Sequence, residues 1–306
     1  MKIVIKFISD KIWFPIRNSI VRRRHAKVAK FWKQEIKKYL EKEDADLVNL
    51  IPLKRFDKPI LWQYWNEDLP YEDLPPIVQR CFDSVDKYAT EHEVIRLHDG
   101  NVAEYVTLPN FIWKHNGECK FPVVFFSDLL RLALLHTYGG VWLDATVLLT
   151  KPLTKDYINL DHFVFQRDPE ESDKAFWEGP HTAYWSWNPG YRVKMLNSII
   201  FAKKDSVMIQ TMLSLMLHYW QTQNKIIDYF FFQILYDELI NGKMNHVKPP
   251  IVSDILPHIL RVLVYGDSYP ISTKELFNKV GMHKLTYIDP EKIARLDKIL
   301  TDSRNF

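Results

Sequence analysis

The sequence predicts an α/β fold on three observations. Pro59 to Trp65 is an apolar, aromatic run that reads as a strand; a polar loop, a helix opened by Pro75-Pro76-Ile77 and a second strand, Glu93 to Leu97, follow it. That order is a β-α-β unit, which pairs its strands in parallel through a right-handed crossover. Val141 to Leu143 is apolar and β-prone, follows Gly139-Gly140, and ends on Asp144, as a buried strand delivering an acid to a sheet edge would. Just upstream, Leu129, Leu130, Leu132, Ala133 and Leu135 suit the buried face of a short helix over 128 to 137, with Ser127 as its N-cap and Tyr138-Gly139-Gly140 as its stop.

Length and composition allow a large core. The chain has 306 residues, 47% of them hydrophobic and 14% aromatic, which excludes general disorder and favours one large or two small domains. The net charge of +3 conceals an asymmetry: residues 1 to 40 hold 12 Lys and Arg against two acids, so the remainder carries −7. Cys81 and Cys119 are the only cysteines and have no metal-ligand spacing, which argues against a disulfide framework or a zinc site and for a reducing cytoplasm.

The basic charge belongs to the N-terminal segment. Ile3, Val4, Phe7, Ile8, Ile12, Trp13 and Phe14 recur near helical spacing ahead of Arg22-Arg23-Arg24, a pattern that fits a helix lying on an anionic membrane surface. A basic helix docked on its own domain fits equally well. Charged residues interrupt any signal-peptide core, and no run is long enough to span a bilayer. The expected division is a basic helical extension over 1–52 and a globular domain over 53–306. A chain starting near Leu53 is then expected to keep its function in solution and to lose it at a membrane surface.

The central stretch carries the chemistry. A helix of ten residues rises about 15 Å and four residues of returning strand cover about 13 Å, so Asp144 comes back beside Asp128. Arg131 shares a helix face with Asp128. Two acids and a cation at one place suit a sugar hydroxyl beside a metal-bound diphosphate, and carboxylate oxygens are the ligands that Mn²⁺ or Mg²⁺ takes.

Ser127-Asp128-Leu129-Leu130-Arg131, Tyr138-Gly139-Gly140-Val141-Trp142-Leu143-Asp144 and Lys151-Pro152-Leu153 together resemble the capsular polysaccharide synthesis glycosyltransferases, related to glycosyltransferase family 32 and more distantly to the glucosylating clostridial toxins. The resemblance covers about residues 57 to 290. It implies a GT-A type nucleotide-diphospho-sugar transferase fold with a mixed central sheet, a UDP-sugar donor, Mn²⁺ or Mg²⁺, and retention of anomeric configuration. Those enzymes carry Asp-x-Asp after the Gly-Gly strand; here Thr146 replaces the second aspartate, a departure typical of the capsular branch. Asp144 is then the principal metal ligand, Thr146 a hydroxyl or water-bridged one, and Ala145 between them is placed to sense the donor sugar.

The remaining expectations follow the chain. Tyr64 and Trp65 end the first strand where a nucleotide base sits in α/β sheets, and stacking there is worth about 1–3 kcal/mol; packing in the core is the competing reading. Val147 to Leu149 and Phe163 to Phe165 read as strands. Arg167 to Arg192 is a long irregular stretch of the kind that forms binding loops, with Trp185 and Trp187 more easily read as packing than as an acceptor platform. Asn197 opens a further strand and matches a donor-sugar contact of the toxin-like relatives. A helix from Ser206 to Trp220 follows. Asp228 is expected in the first turn of another helix, where the dipole favours an acid, as a positioning group for sugar hydroxyls. Met282 to Tyr287 resembles the family's closing segment, with Lys284 on the diphosphate and His283 completing the metal shell.

The resemblance implies hexose transfer from a UDP-sugar, UDP-galactose or UDP-glucose favoured, to an undecaprenyl-linked saccharide at the inner face of a bacterial cell membrane. No nucleic-acid partner is expected. A transferase relative that binds sugar without turnover, and a nucleotidyl or phosphosugar transferase, are the alternatives; the second lacks a Gly-rich phosphate loop, since the chain has only nine glycines.

Overall fold

The computed structural model describes residues 2–41, 50–178, 184–286 and 288–302, with side chains of the first helix described from residue 16 onward. The apolar positions from Ile3 to Phe14 therefore contribute helix only, and Tyr287 lies outside the described residues. In chain order the elements are α1 (Lys2–Leu40), β1 (Ile60–Tyr64), α2 (Pro76–Tyr88), β2 (Glu93–Leu97), α3 (Val123–Tyr138), β3 (Gly140–Leu143), β4 (Val147–Leu149), β5 (His162–Gln166), α4 (Lys174–Trp177), β6 (Met195–Ala202), α5 (Val207–Thr222), α6 (Phe231–Ile240), α7 (Leu256–Tyr265), α8 (Thr273–Lys279), β7 (Met282–Lys284) and α9 (Pro290–Asp302).

The central sheet is mixed, in the order β2-β1-β3-β6-β5. β1 pairs in parallel with β2 and β3, whereas β6 runs antiparallel to both β3 and β5. Alternating side chains feed two cores. Trp62, Trp142 and Ile200 face a layer that includes α1, α3, α5 and α6; Leu61, Val141, Leu143, Ile199 and Phe201 face one that includes α2, α7, α8 and α9. A small second sheet pairs β4 with β7, antiparallel, and sets Lys284 opposite Val147.

The Gly-Gly turn is what lets α3 feed the middle of the sheet. Gly139 and Gly140 have φ of 73° and 100°, a region that disfavours side chains. A Cβ on Gly140 would lie 2.3 Å from the Ile60 carbonyl oxygen on β1. Two backbones meet there with no room between them.

Two expectations need correction. α3 begins after Pro122, one turn before the expected start, and Ser127 sits inside it, so Asp128 is not at a helix N-terminus. Ten residues still separate Asp128 from the end of α3, so the length argument that brings Asp144 beside it survives. The second concerns α1. Val21, His25, Val28, Ala29, Trp32 and Ile36 are buried at helical spacing, and the Trp32 indole donates to the Phe231 carbonyl at 2.8 Å. The composition changes near residue 52, but packing runs across that boundary: the second half of α1 is part of the core. Among the described residues no helix is long and apolar enough to cross a membrane.

Candidate active site

A cavity of about 510 Å³ opens at the C-terminal ends of β1 and β3, lined by Tyr64, Trp65, Asp128, Arg131, Asp144, Ala145, Thr146, Asn197 and Lys284 among others. The edge beyond the carboxyl ends of strands is where open α/β sheets bind ligands. Four expected residues come from three elements: Asp128 and Arg131 from the second and third turns of α3, Asp144 from the end of β3, and Asn197 from β6.

Arg131 ties them together. Its guanidinium is almost fully buried and lies 3.2 Å from Asp128 Oδ1 and 3.5 Å from Asp144 Oδ1. It also donates to the Ser127 carbonyl and hydroxyl and, at 2.6 Å, to the Asn197 carbonyl. Its plane sits over the Trp142 ring at 5.1 Å. A guanidinium so fully engaged is a rigid spacer between two carboxylates rather than a free hand for substrate.

The two carboxylates differ electrostatically. Burial pushes Asp128 up to about 6, against the pull of Arg131 and of the Asn197 amide that donates to it at 2.9 Å. Burial acts on Asp144 in the same sense, but the Lys284 ammonium, Arg131, and hydrogen bonds from Lys284 and Trp142 outweigh it and hold the carboxyl well below the usual range. Asp144 is therefore a fixed anion, and Asp128 titrates just below neutrality.

The donor set does not fit a divalent ion. Lys284 Nζ donates at 2.8 Å to Asp144 Oδ2 and at 2.8 Å to the Thr146 hydroxyl, and these are the two oxygens expected to bind Mn²⁺ or Mg²⁺. Asp144 Oδ1 already accepts from Trp142 Nε1. His283 is not on the cavity: neighbouring residues of a strand face opposite ways, so as β7 aims Lys284 at Asp144 it turns His283 inward. That ring is fully buried, 3.0 Å from the Thr150 hydroxyl and 5.1 Å from the Phe277 ring, and burial lowers its pKa to about 3. Among the described residues no three His, Cys, Asp or Glu side chains cluster as metal ligands would.

Asp228 also stands apart. It precedes α6 rather than opening it, is buried, and pairs with Arg24 of α1 at 2.5 Å while accepting from the Phe230 amide. Its neighbours Tyr229 and Phe230 line the cavity; Asp228 does not. Tyr64 and Trp65 both line it, but the Tyr64 ring is buried against Phe126 with its hydroxyl committed to Asp99. Trp65 is only partly buried and its indole N–H has no partner, which makes it the better platform for a base. Trp185 is buried beside Trp177, with the Arg167 guanidinium 4.6 Å from its ring.

The sequence offered no reason to select Gln233, His258, Arg261 or Thr286, yet all four line the cavity. Gln233 is buried with its Oε1 unpartnered. Thr286 has φ of 54°, uncommon for a residue with a branched side chain. The only sequence signal for Arg261 is its three-residue offset from His258 on α7, which puts both on one helix face.

The fold is thus a mixed, parallel-rich α/β sheet with a polar cavity at its strand ends. The chain belongs to the capsular polysaccharide synthesis protein family, which it matches over residues 12–302. No curated protein matches it. A solved structure described as PaToxG glycosyltransferase is similar over 95% of this chain and 98% of that chain, at 12% identity and a TM-score of 0.36, too low to bear on the fold.

Proposed function

We propose that the protein is a retaining glycosyltransferase of GT-A type that moves a hexose from a UDP-sugar, UDP-galactose or UDP-glucose, to a lipid-linked saccharide during surface polysaccharide synthesis. Membership of a capsular polysaccharide synthesis family supports a glycosyltransferase role. The observation that carries the reading is the Asp128–Arg131–Asp144 cluster facing the cavity, with Asn197 donating to Asp128.

In this reading Trp65 stacks on uracil, and Asp128 and Asn197 bind the donor sugar's hydroxyls. The bond from the anomeric carbon to the diphosphate oxygen breaks as an acceptor hydroxyl attacks on the same face. The proton from that hydroxyl passes to the departing phosphate oxygen, so no separate general base is needed. Charge growing on the leaving group is stabilised by fixed cations of the site, the form of catalysis that is commonly largest. Asp228 has a positioning role only, through its pairing with Arg24.

The acceptor we propose is an undecaprenyl-linked saccharide, presented at an anionic membrane surface on the cytoplasmic side. The exposed face of α1 supports this, since Arg22, Arg23, Lys27, Lys30, Lys37 and Lys38 all lie on it. The deciding experiment incubates purified protein with a panel of UDP-sugars and follows UDP release. Release from one or two donors is expected; no release from any donor, with UDP still bound, would leave a sugar-binding relative without turnover.

A further inference from the structure

We propose that this site neutralises the donor diphosphate with two of its own cations, Lys284 and Arg261, in place of a divalent metal ion. The inference rests on the nucleotide-sugar reading above and concerns how that site holds its substrate.

Lys284 stands where the metal was expected. An ammonium has three donors; two are spent on Asp144 Oδ2 and Thr146 Oγ1, and the side chain lines the cavity with one left. A divalent ion on the same two oxygens would have to expel it, because like charges a few ångströms apart in a partly buried site repel strongly.

Arg261 supplies the second charge. Its guanidinium stacks on Tyr265 at 4.7 Å, its Nε is buried without a partner, and among the described residues no carboxylate pairs with it. It lines the same cavity as Lys284. A partly buried arginine with open donors beside a polar cavity is well suited to a two-pronged grip on phosphate oxygens. Arg131, the third cation of the lining, is already committed to Ser127, Asn197 and the two aspartates. His258, one turn before Arg261, is half-buried, and loss of water lowers its pKa to about 4, with the charges of Lys284, Arg167 and Arg261 adding to the effect. With Asp128 and Asp144 ionised, the lining carries one net positive charge before a diphosphate arrives.

The test is calorimetric titration of the full-length protein with UDP and with uridine, in EDTA and again in excess Mn²⁺. UDP affinity is expected to change less than about threefold between the two media. Lys284→Met and Arg261→Met should each weaken UDP by about tenfold or more, since each removes a charge-assisted contact, while uridine affinity stays put. Melting curves establish that both variants are folded. Binding of UDP that vanishes in EDTA and returns with Mn²⁺ would overturn the clamp while leaving the nucleotide-sugar reading intact. So would two folded variants that bind UDP like the parent. Failure of UDP to bind in either medium would instead remove the nucleotide-sugar reading, and the clamp with it.

Discussion

Asn197 donates to Asp128 Oδ1 at 2.9 Å across the gap between β6 and α3, so one carboxylate is aimed by an amide from a strand far away in sequence. Asn197→Ala frees that carboxylate and removes a contact proposed for the donor sugar. We expect kcat/KM to fall about tenfold or more, with UDP affinity nearly unchanged, because the sugar and not the nucleotide is misplaced. Asp128→Ala should show the same split more strongly. Equal losses in UDP binding and transfer would reduce both residues to supports of the fold.

Acid should act on the two aspartates in opposite senses. Asp128 has its folded pKa raised to about 6, so the stability it contributes is fully present below its unfolded pKa, about 3.9, and is lost as pH rises through about 6. Asp144 has its folded pKa depressed; its contribution is present above its unfolded pKa and lost as pH falls further. Of these two carboxylates, Asp128 is the one whose folded form changes from about pH 4 to 6. His25, His258 and His283, whose pKa values burial lowers, pull stability the other way over the same window, so Asp128→Asn should make Tm rise more steeply with pH there than it does in the parent. Melting curves of the two proteins with the same slope there would contradict this account.

The Gly-Gly turn offers a comparison within one chain. Gly140→Ala combines a left-handed φ with a Cβ 2.3 Å from the Ile60 carbonyl, so we expect it to lose about 3 kcal/mol or more. Gly117 has φ of 83° but nothing within 4 Å of its notional Cβ. There Ala should cost only about 1 kcal/mol, the backbone part alone. Urea denaturation of both variants separates collision from conformation, and similar losses would show that the β1–β3 approach is looser than its geometry indicates.

α1 should prove indispensable. Trp32 is fully buried, stacks near-parallel on Phe231 at 6.2 Å and donates to its carbonyl; Trp32→Ala should cost about 3–5 kcal/mol. A chain beginning at Leu53 would leave Asp228 buried without Arg24 and open the core around Phe231 to water. We expect it to aggregate on expression, contrary to what composition alone suggests. A soluble product with the full-length Tm would show that the helix is only docked.

Much of the site was legible because short-range signals fixed it. Two glycines before an apolar run, an acid at its end and a helix ahead of it leave little freedom, so Asp128, Arg131 and Asp144 meet as the lengths require. The first strand, α2 and β2 were equally clear. What escaped depends on long-range packing. Ser127 looks like a cap, yet Pro122 starts the helix because its fixed φ suits a helix entry and Phe125 and Phe126 find apolar neighbours. His283 and Lys284 are adjacent in sequence, and only the pairing of β7 with β4 decides which of them faces Asp144. Arg24 and Asp228 lie 204 residues apart, and no local pattern announces that a basic, solvent-loving helix ends with a tryptophan in the core.

The ammonium that completes the cavity reaches Asp144 from 140 residues downstream. At about 5–20 residues per second of synthesis, Lys284 leaves the ribosome roughly 7–28 s after Asp144 does. During that interval the nascent chain carries Asp144 without the lysine that neutralises it, in a pocket already deprived of much of its water if the central strands have formed. Asp144 is thus made long before Lys284, with Arg131 as the cation already beside it.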